Sequence, residues 1–441
     1  MSVVERLTKA GMSPAVAEHK ALMLERCRAG LEAAGAGLAD VRMYVVPGRI
    51  EVLGKHTDYA GGRSLLAAVE RAIVMVAVPR ADTLVRVTRL KTDETVEFAL
   101  GAIGTFPPNH WSLFPATVAR RLGDDFRDLK GVDIAFASDL PMAAGLSSSS
   151  AFITGLAMAV MTRNALAERE DFLAEVKTRE DLCGYMGAVE SGYGFGSFLG
   201  GGGVGTAGGS EDHTAILSAR AGKLLRCSFL PVKIERELPL PAGYVFVVGV
   251  SGIVADKTGN ALERYNRASR IAKTMLDRWK QTTGRKDVSL AAALGSSRGA
   301  PDQLADMLKR EWDAAPFINR LRQFREESDD IIPGVSAALE RKDVSALGPL
   351  VDRSQALAEE VLENQTPETI ALQRSARDLG AAAASAFGAG FGGSVWALIE
   401  AKRAEEFVPR WRESYLKKFP ALQNRAEVFV TQAGPGLISL S

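Results

Sequence analysis

Cysteine is scarce in this chain: three residues in 441, Cys27, Cys183 and Cys227, with no CxxC pair among them. That excludes a disulfide-built scaffold, and a reduced, cytoplasmic compartment is the expectation. Histidine is nearly as rare. The four present, His19, His56, His110 and His213, show no metal-ligand spacing, so a zinc enzyme is not expected. An excess of charge of either sign is also missing: 54 Lys and Arg against 53 Asp and Glu leave a net charge of +1. No global field then recruits nucleic acid or an anionic membrane, and neither partner is expected. Long hydrophobic runs are absent as well, since stretches such as Leu65–Val69 and Val245–Val250 are too short to span a bilayer. Met1–Glu5 leads into a polar amphipathic segment without the apolar core of a secretion signal. Any phosphate must therefore be bound by a local arrangement.

What is present reads as an ordinary globular protein, 46% apolar and 24% charged, long enough for two or three domains. Residues 3–38 have helical periodicity and many alanines. Val41–Val46 reads as a strand, Arg63–Val78 as a buried strand, and Leu84–Phe98 as a hairpin turning near Thr92–Glu94. Trp111–Leu122 is predicted helical and Val132–Phe136 a strand, followed by a long apolar helix over Ser149–Thr162. Residues 192–210 contain ten glycines and are predicted to form no regular element. A strand at Tyr244–Val250, charged helices to about Arg377 and a closing strand at Ser394–Glu400 complete the chain. Strand clusters separated from helix clusters suggest an α+β fold.

Four short segments carry chemistry. PGRIEVLGKHTDYAGG, residues 47–62, looks at first like a phosphate loop with a fault: five residues instead of four separate Gly48 from Gly54, and His56 replaces the expected hydroxyl. DLPMAAGLSSSSAF, residues 139–152, runs from a strand through Gly145 into four serines and an apolar helix. Helix N-termini present unpaired N–H groups and partial positive charge, so this geometry attracts phosphate, although serines also serve simply as N-caps. SAFGAGFGGSVWALI, residues 385–399, places Gly388, Gly390, Gly392 and Gly393 before an apolar strand, permitting close backbone approach or just a tight turn. GGSEDHTAIL, residues 208–217, sets an acidic pair and a histidine between a glycine loop and a predicted apolar strand. Gly203–Gly208 also fits GxGxxG. It lacks a preceding strand, and Ser-Glu-Asp-His follows where a helix should open, so a dinucleotide fold is not expected.

Together and in this order, the segments resemble the GHMP small-molecule kinases, and within them the galactokinase family. PGR, then the glycine-x-HTDY run, then GG is similar to that family's sugar signature; PMAAGLSSSSAF is similar to the phosphate-binding motif and FGAGFGGSVWALI to the C-terminal glycine motif. The resemblance implies a two-domain fold, a ribosomal-protein-S5-like N-terminal domain (1–240) and a ferredoxin-like C-terminal domain (241–441), with the active site between them. It also makes GKHT part of a sugar pocket rather than a phosphate loop. By the same resemblance Asp212 is the catalytic aspartate and Arg49 the arginine facing it. Glu190 holds Mg²⁺ with Ser148 or Ser149. Lys55, His56, Asp58, Gly209 and Tyr265 join Arg49 and Asp212 at the sugar. Gly145, Leu146, Ser147, Ser148, Ser149, Ser150 and Trp111 contact ATP.

Several positions depart from the family pattern. Glu51 stands where the signature has Asn, and Lys55 where it has the Glu that meets the sugar near O6. A lysine there would donate to O6 or suit the carboxylate of a uronic acid. Ala143 and Ala144 replace glycines, Phe387 a small hydroxyl residue, and His213 a Gln; the glycine tract adds length between Glu190 and Asp212, read as an insertion rather than a lid. The implied activity is ATP- and Mg²⁺-dependent phosphorylation of a sugar C1 hydroxyl, galactose by default. Galacturonate, arabinose and N-acetylgalactosamine are neighbouring substrates, and a catalytically silent sugar sensor or a kinase of a non-sugar alcohol are alternatives. A monomer or small homo-oligomer is expected.

Overall fold

In the computed structural model the chain forms two antiparallel-dominated sheets with helices packed on and between them. The structure describes all residues except 103–109, 143, 255–258 and 311–312, and all side chains except those of 259–262, 264 and 265 in addition. The strands are β1 (Arg42–Leu53), β2 (Arg63–Pro79), β3 (Leu84–Arg89), β4 (Glu94–Ala99), β5 (Val132–Ser138), β6 (Lys223–Ser228), β7 (Lys233–Pro239), β8 (Tyr244–Val250), β9 (Ala383–Phe387), β10 (Ser394–Glu400), β11 (Glu427–Thr431) and β12 (Ile438–Leu440). The first sheet runs β12-β1-β2-β5-β3-β4, with β6 and β7 attached along the other end of β2; the second runs β11-β8-β10-β9. Mixed sheets with helices, built from separate runs of strands and helices, are the expected α+β organisation.

β1 and β2 are buried on both faces, and the two faces serve different cores. Val45, Val74, Val76 and Val78 pack beneath the N-terminal helices with Leu24, Cys27 and Leu31. Tyr44, Val46, Ile73 and Met75 face the apolar helix Ser148–Arg163 with Ile153, Leu156 and Val160. The alternation follows from the two-residue side-chain period of a strand. All three cysteines are free and buried, and behave as small core residues.

Three sequence expectations need correction. The helical periodicity over residues 3–38 is two helices, Val3–Lys9 and Pro14–Ala33, broken where Gly11 takes φ +103° and Pro14 opens the second. The apolar run after Asp212 is not a strand but the helix Glu211–Ser218. Its apolar stretch is too short for periodicity to discriminate, and Glu211 and Asp212 in the first turn complement the helix dipole. Helix thus does open after Gly208, but no strand precedes the glycines, so the dinucleotide unit is still absent. Ser394–Glu400 does not close the chain: the helix Ala404–Lys418, β11 and β12 follow. β12 pairs with β1, Met43 opposite Leu440, so the N-terminal sheet takes a strand from beyond residue 241 and a cut at 240 does not separate the two sheets.

Candidate active site

β1 and β2 lose register between Pro47 and Arg49, and the freed backbone of β1 turns to a different partner. The Arg49 N–H donates to Leu146 O at 3.1 Å, and a Cβ on Gly48 would sit 2.7 Å from that same oxygen. The PGR step therefore docks the serine loop directly onto β1. Upstream, Asp139 fixes the loop's entrance: its carboxylate accepts from Ala72 N at 2.8 Å and is paired with Lys20, a fully buried lysine on the helix Pro14–Ala33. Burial lowers the Lys20 pKa against the opposing pull of Asp139.

The loop then turns on Gly145 (φ +75°) and Ser147 (φ +57°) before the helix opens at Ser148. No serine side chain caps that helix, so its first N–H groups point at the space ahead of it. The glycine motif closes on the same loop. Gly388, Gly390, Phe391, Gly392 and Gly393 all have positive φ, and Ser394 Oγ donates to Ala144 O at 2.6 Å. A Cβ on Gly388 would lie 3.2 Å from Gly145 O, a tight approach, and one on Gly390 only 2.2 Å from Asn364 O, so glycine is favoured here.

Between these loops and the sugar signature lies a cavity of about 400 Å³. Gly145, the four serines Ser147–Ser150, Glu190, Gly388, Gly390 and Gly392 line one end; Arg49, Glu51, His56, Asp58, Gly209, Glu211 and Asp212 line the other. At its centre Arg49, 5% exposed, donates through Nε and Nη2 to Asp212 Oδ1, both at 2.7 Å, and through Nη1 to Gly145 O at 2.6 Å. Ser150 Oγ donates to the other Asp212 oxygen at 3.1 Å. Burial alone would lower the Arg49 pKa, but Asp212, Glu211 and Glu51 outweigh it and raise it, so the guanidinium is permanently charged.

Gly54 (φ +116°) ends β1 in a turn where a Cβ would meet Ser64 Cα at 2.7 Å, and Asp58–Ala60 follow as a single helical turn. His56 Nδ1 meets Tyr59 Oη at 3.0 Å and Nε2 meets Ala389 O at 3.2 Å, tying the signature to the glycine motif. Burial raises the Asp58 pKa, opposed by backbone N–H groups of Tyr59, Glu211 and Gly209. Gly209 is pressed against it: an added Cβ would stand 2.4 Å from Asp58 Oδ2.

Lys55 departs from its expected place. It is 1% exposed, does not line the cavity, and its Nζ donates to Ser354 Oγ at 3.1 Å and Ser385 Oγ at 2.9 Å. The lysine is an interior strut between the helix Leu347–Glu360 and β9, neither meeting the sugar position nor turning outward. Trp111 and Leu146 are also off the cavity wall. The Trp111 indole donates to Glu94 at 2.7 Å and packs against Phe136 and Phe152, while Phe114 reaches the cavity. Gly393 supports from behind, bonded to Ser251 and Ile253. Tyr265 belongs to the helix Gly259–Thr283, and its side chain is outside the described residues.

Glu190 and the serines lie on the same wall, and Glu190 Oε2 pairs with His213 Nε2 at 2.9 Å; His213 in turn meets Thr154 Oγ1 at 3.0 Å. Among the described residues no group of three His, Cys, Asp or Glu side chains gathers as a metal site. One carboxylate with hydroxyls is nevertheless the donor set that suits Mg²⁺ shared with a polyphosphate, because Mg²⁺ keeps phosphate and water ligands. Sequence reasoning gave no role to Glu51 or Glu211. The signal was there: an acid two residues from Arg49 on one strand face, and another directly before Asp212.

Comparison with known proteins agrees with this layout. A model of the galactokinase galactose-binding signature matches residues 35–79, one of the GHMP kinases N-terminal domain residues 114–197, and one of the GHMP kinases C-terminal region residues 335–417. A galactokinase of Roseiflexus sp. (strain RS-1) is 27% identical over 399 residues, 89% of this chain and 91% of its own. One from Streptomyces coelicolor is 26% identical over 365 residues, 81% of this chain and 84% of its own. The solved Lactococcus lactis galactokinase complexed with galactose superposes with a TM-score of 0.75 at 22% identity, over 95% of this chain and all of that one. With the models falling in the order of the sugar signature, the serine helix and the glycine motif, the chain belongs to the GHMP kinase superfamily of small-molecule phosphotransferases and resembles galactokinase.

Proposed function

We propose that the protein phosphorylates the anomeric C1 hydroxyl of a neutral sugar, galactose first, using ATP with Mg²⁺. The observation that carries this reading is Arg49 joined to Asp212 midway between the serine helix and the His56–Asp58 turn. Phosphoryl transfer passes through a loose transition state, so a protein contributes mainly by alignment and charge stabilisation. Asp212 accepts the hydrogen bond of the attacking hydroxyl and takes its proton; Arg49 keeps that carboxylate ionised and offsets charge on the transferring group. Gly145, Ser147 and the helix beginning at Ser148 receive the phosphates through backbone N–H groups. Glu190 with Ser148 or Ser149 would hold Mg²⁺, which when bound neutralises phosphate charge. His56 and Asp58 read sugar hydroxyls, and Gly209 keeps the chain close enough for Asp58 to be held.

Among the described residues the cavity's sugar end is lined by Glu51, Asp58, Glu211 and Asp212, with Arg49 as the guanidinium facing them. Such a lining favours hydroxyl donors and disfavours a uronate, and the interior position of Lys55 removes the reason for expecting one. A sensor without turnover is the second reading, and the intact Arg49–Asp212–Ser150 arrangement supports catalysis over it.

Coupled ADP release with galactose, arabinose, glucose, N-acetylgalactosamine and galacturonate tests the reading. Galactose is expected to turn over and galacturonate to be the poorest substrate. Asp212→Asn should lower kcat by about 10²–10³. ADP release no greater than that of Asp212→Asn with every sugar would overturn it.

A further inference from the structure

Glu51 and Glu211 lie 160 residues apart in sequence and meet on the cavity floor beside the reacting centre. Arg49 and Glu51 are alternate residues of β1 and so share a face. Glu211 opens the helix that carries Asp212. The two residues are only 4% and 5% exposed, and their carboxyl groups lie within hydrogen-bonding reach of each other. Ser64 Oγ donates to Glu211 Oε2 at 2.6 Å, and Glu51 Oε1 has no hydrogen-bond partner among the described residues. Ionised carboxylates are acceptors only, so a hydrogen bond between two of them requires a proton.

We infer that Glu51 and Glu211 share one proton and thereby hold Arg49 on Asp212, which makes Glu51 a positioning residue for phosphotransfer; this rests on the sugar-kinase reading above. Glu211 Oε1 stands 4.0 Å from Arg49 Nε, while Asp212 takes Arg49 at 2.7 Å. With the proton in place the pair carries one negative charge, and Asp212 keeps the guanidinium. When the proton leaves to solvent, a second negative charge appears beside Arg49 and competes for it. The groups facing the pair are Lys55 from the turn after β1, Arg49 on β1, Glu327 from the segment Glu326–Ile331, and Asp58 and Asp212. Two cations against three further acids cannot neutralise both carboxylates. Burial accordingly pushes Glu51 up to about 7, against the pull of Lys55 and Arg49, and raises Glu211 as well. Asn, which the galactokinase signature carries at position 51, is neutral at every pH. This chain obtains the same neutrality with a removable proton.

The test is the pH dependence of kcat and kcat/KM for the sugar in the unmutated protein, Glu51→Gln and Glu211→Gln. The unmutated protein should lose activity above neutrality with a limiting slope of about tenfold per pH unit. Glu51→Gln still donates to Glu211 but cannot ionise, so whatever its rate near neutrality its profile should lose the alkaline fall. Glu211→Gln should also lose that fall. An unchanged alkaline limb in a folded variant would overturn the inference. Independently of any variant, the infrared carbonyl band of a buried protonated carboxyl should titrate away near neutrality in the unmutated protein. Absence of such a titration overturns the pair even if the variants fail to fold. Should no sugar turn over at any pH, the kinase reading fails, while the infrared titration still decides the pair.

Discussion

At the phosphate end of the cavity the chain presents backbone: Gly145, Ser147 and the left-handed residues between Gly388 and Gly393, where a methyl group would collide at Gly390 and Gly392 and sit tightly at Gly145 and Gly388. At the sugar end it presents side chains: Arg49, Glu51, His56 and Glu211, which are buried, and Asp58 and Asp212, which are half-buried. Backbone N–H groups are the same in every protein, so the phosphate end can be reached only by satisfying conformational demands that few residue types meet. Buried charges are balanced as a set, so a change at one position can be answered at another far away in sequence. The exchange of Asn for Glu51 and of Glu for Lys55 is such a balanced change, with the new cation held by serines some 300 residues further on (Lys55 to Ser354 spans 299 residues).

The largest effect expected from this contrast is at Lys55. Lys55→Glu would set a third carboxylate beside Glu51 and Glu327 with only Arg49, already held by Asp212, as a nearby cation, costing about 3–5 kcal/mol by leaving buried charge unpaired. Thermal unfolding should show a large fall in Tm, or no folded protein. A folded Lys55→Glu protein with altered sugar preference would mean the lysine faces substrate after all, and the contrast would break.

A smaller and more selective effect is expected at Gly388. Alanine there must hold φ near +77° with its Cβ 3.2 Å from Gly145 O, a strain of about 1–2 kcal/mol. If the glycine motif serves the phosphates, KM for ATP should rise several-fold while KM for the sugar stays put. A rise confined to the sugar would reverse the assignment of the two ends.

The least effect is expected from Leu199→Ser, in the glycine tract. Leu199 is 85% exposed, whereas the tract itself is anchored by Phe195 and Phe198 against Tyr185 and Phe126. Stability and turnover should change by no more than about 0.5 kcal/mol. A marked loss of turnover with unchanged Tm would show the tract acting as a moving cover.

How much of this was legible in the sequence follows the same divide. The serine loop and glycine motif announce themselves because their geometry restricts residue choice, and Arg49 and Asp212 were reachable through the motifs around them. The destination of Lys55 was not legible, since Ser354 and Ser385 give no local sign that they receive an ammonium group. Nor was the helix after Glu211, because an apolar run so short fits either period. The break at Gly11 and Pro14 was written in the residues themselves, but the helical period on both sides masked it.

The pairing of β12 with β1 carries a consequence for biosynthesis. During translation the serine loop, Asp212 and all the strands from β1 to β7 emerge before residues 438–440 exist. Until then the Met43–Val45 stretch of β1 is an uncovered sheet edge, a ready template for pairing with another chain. The strands from β1 to β7 are thus made well before the strand that covers the Met43–Val45 edge of β1.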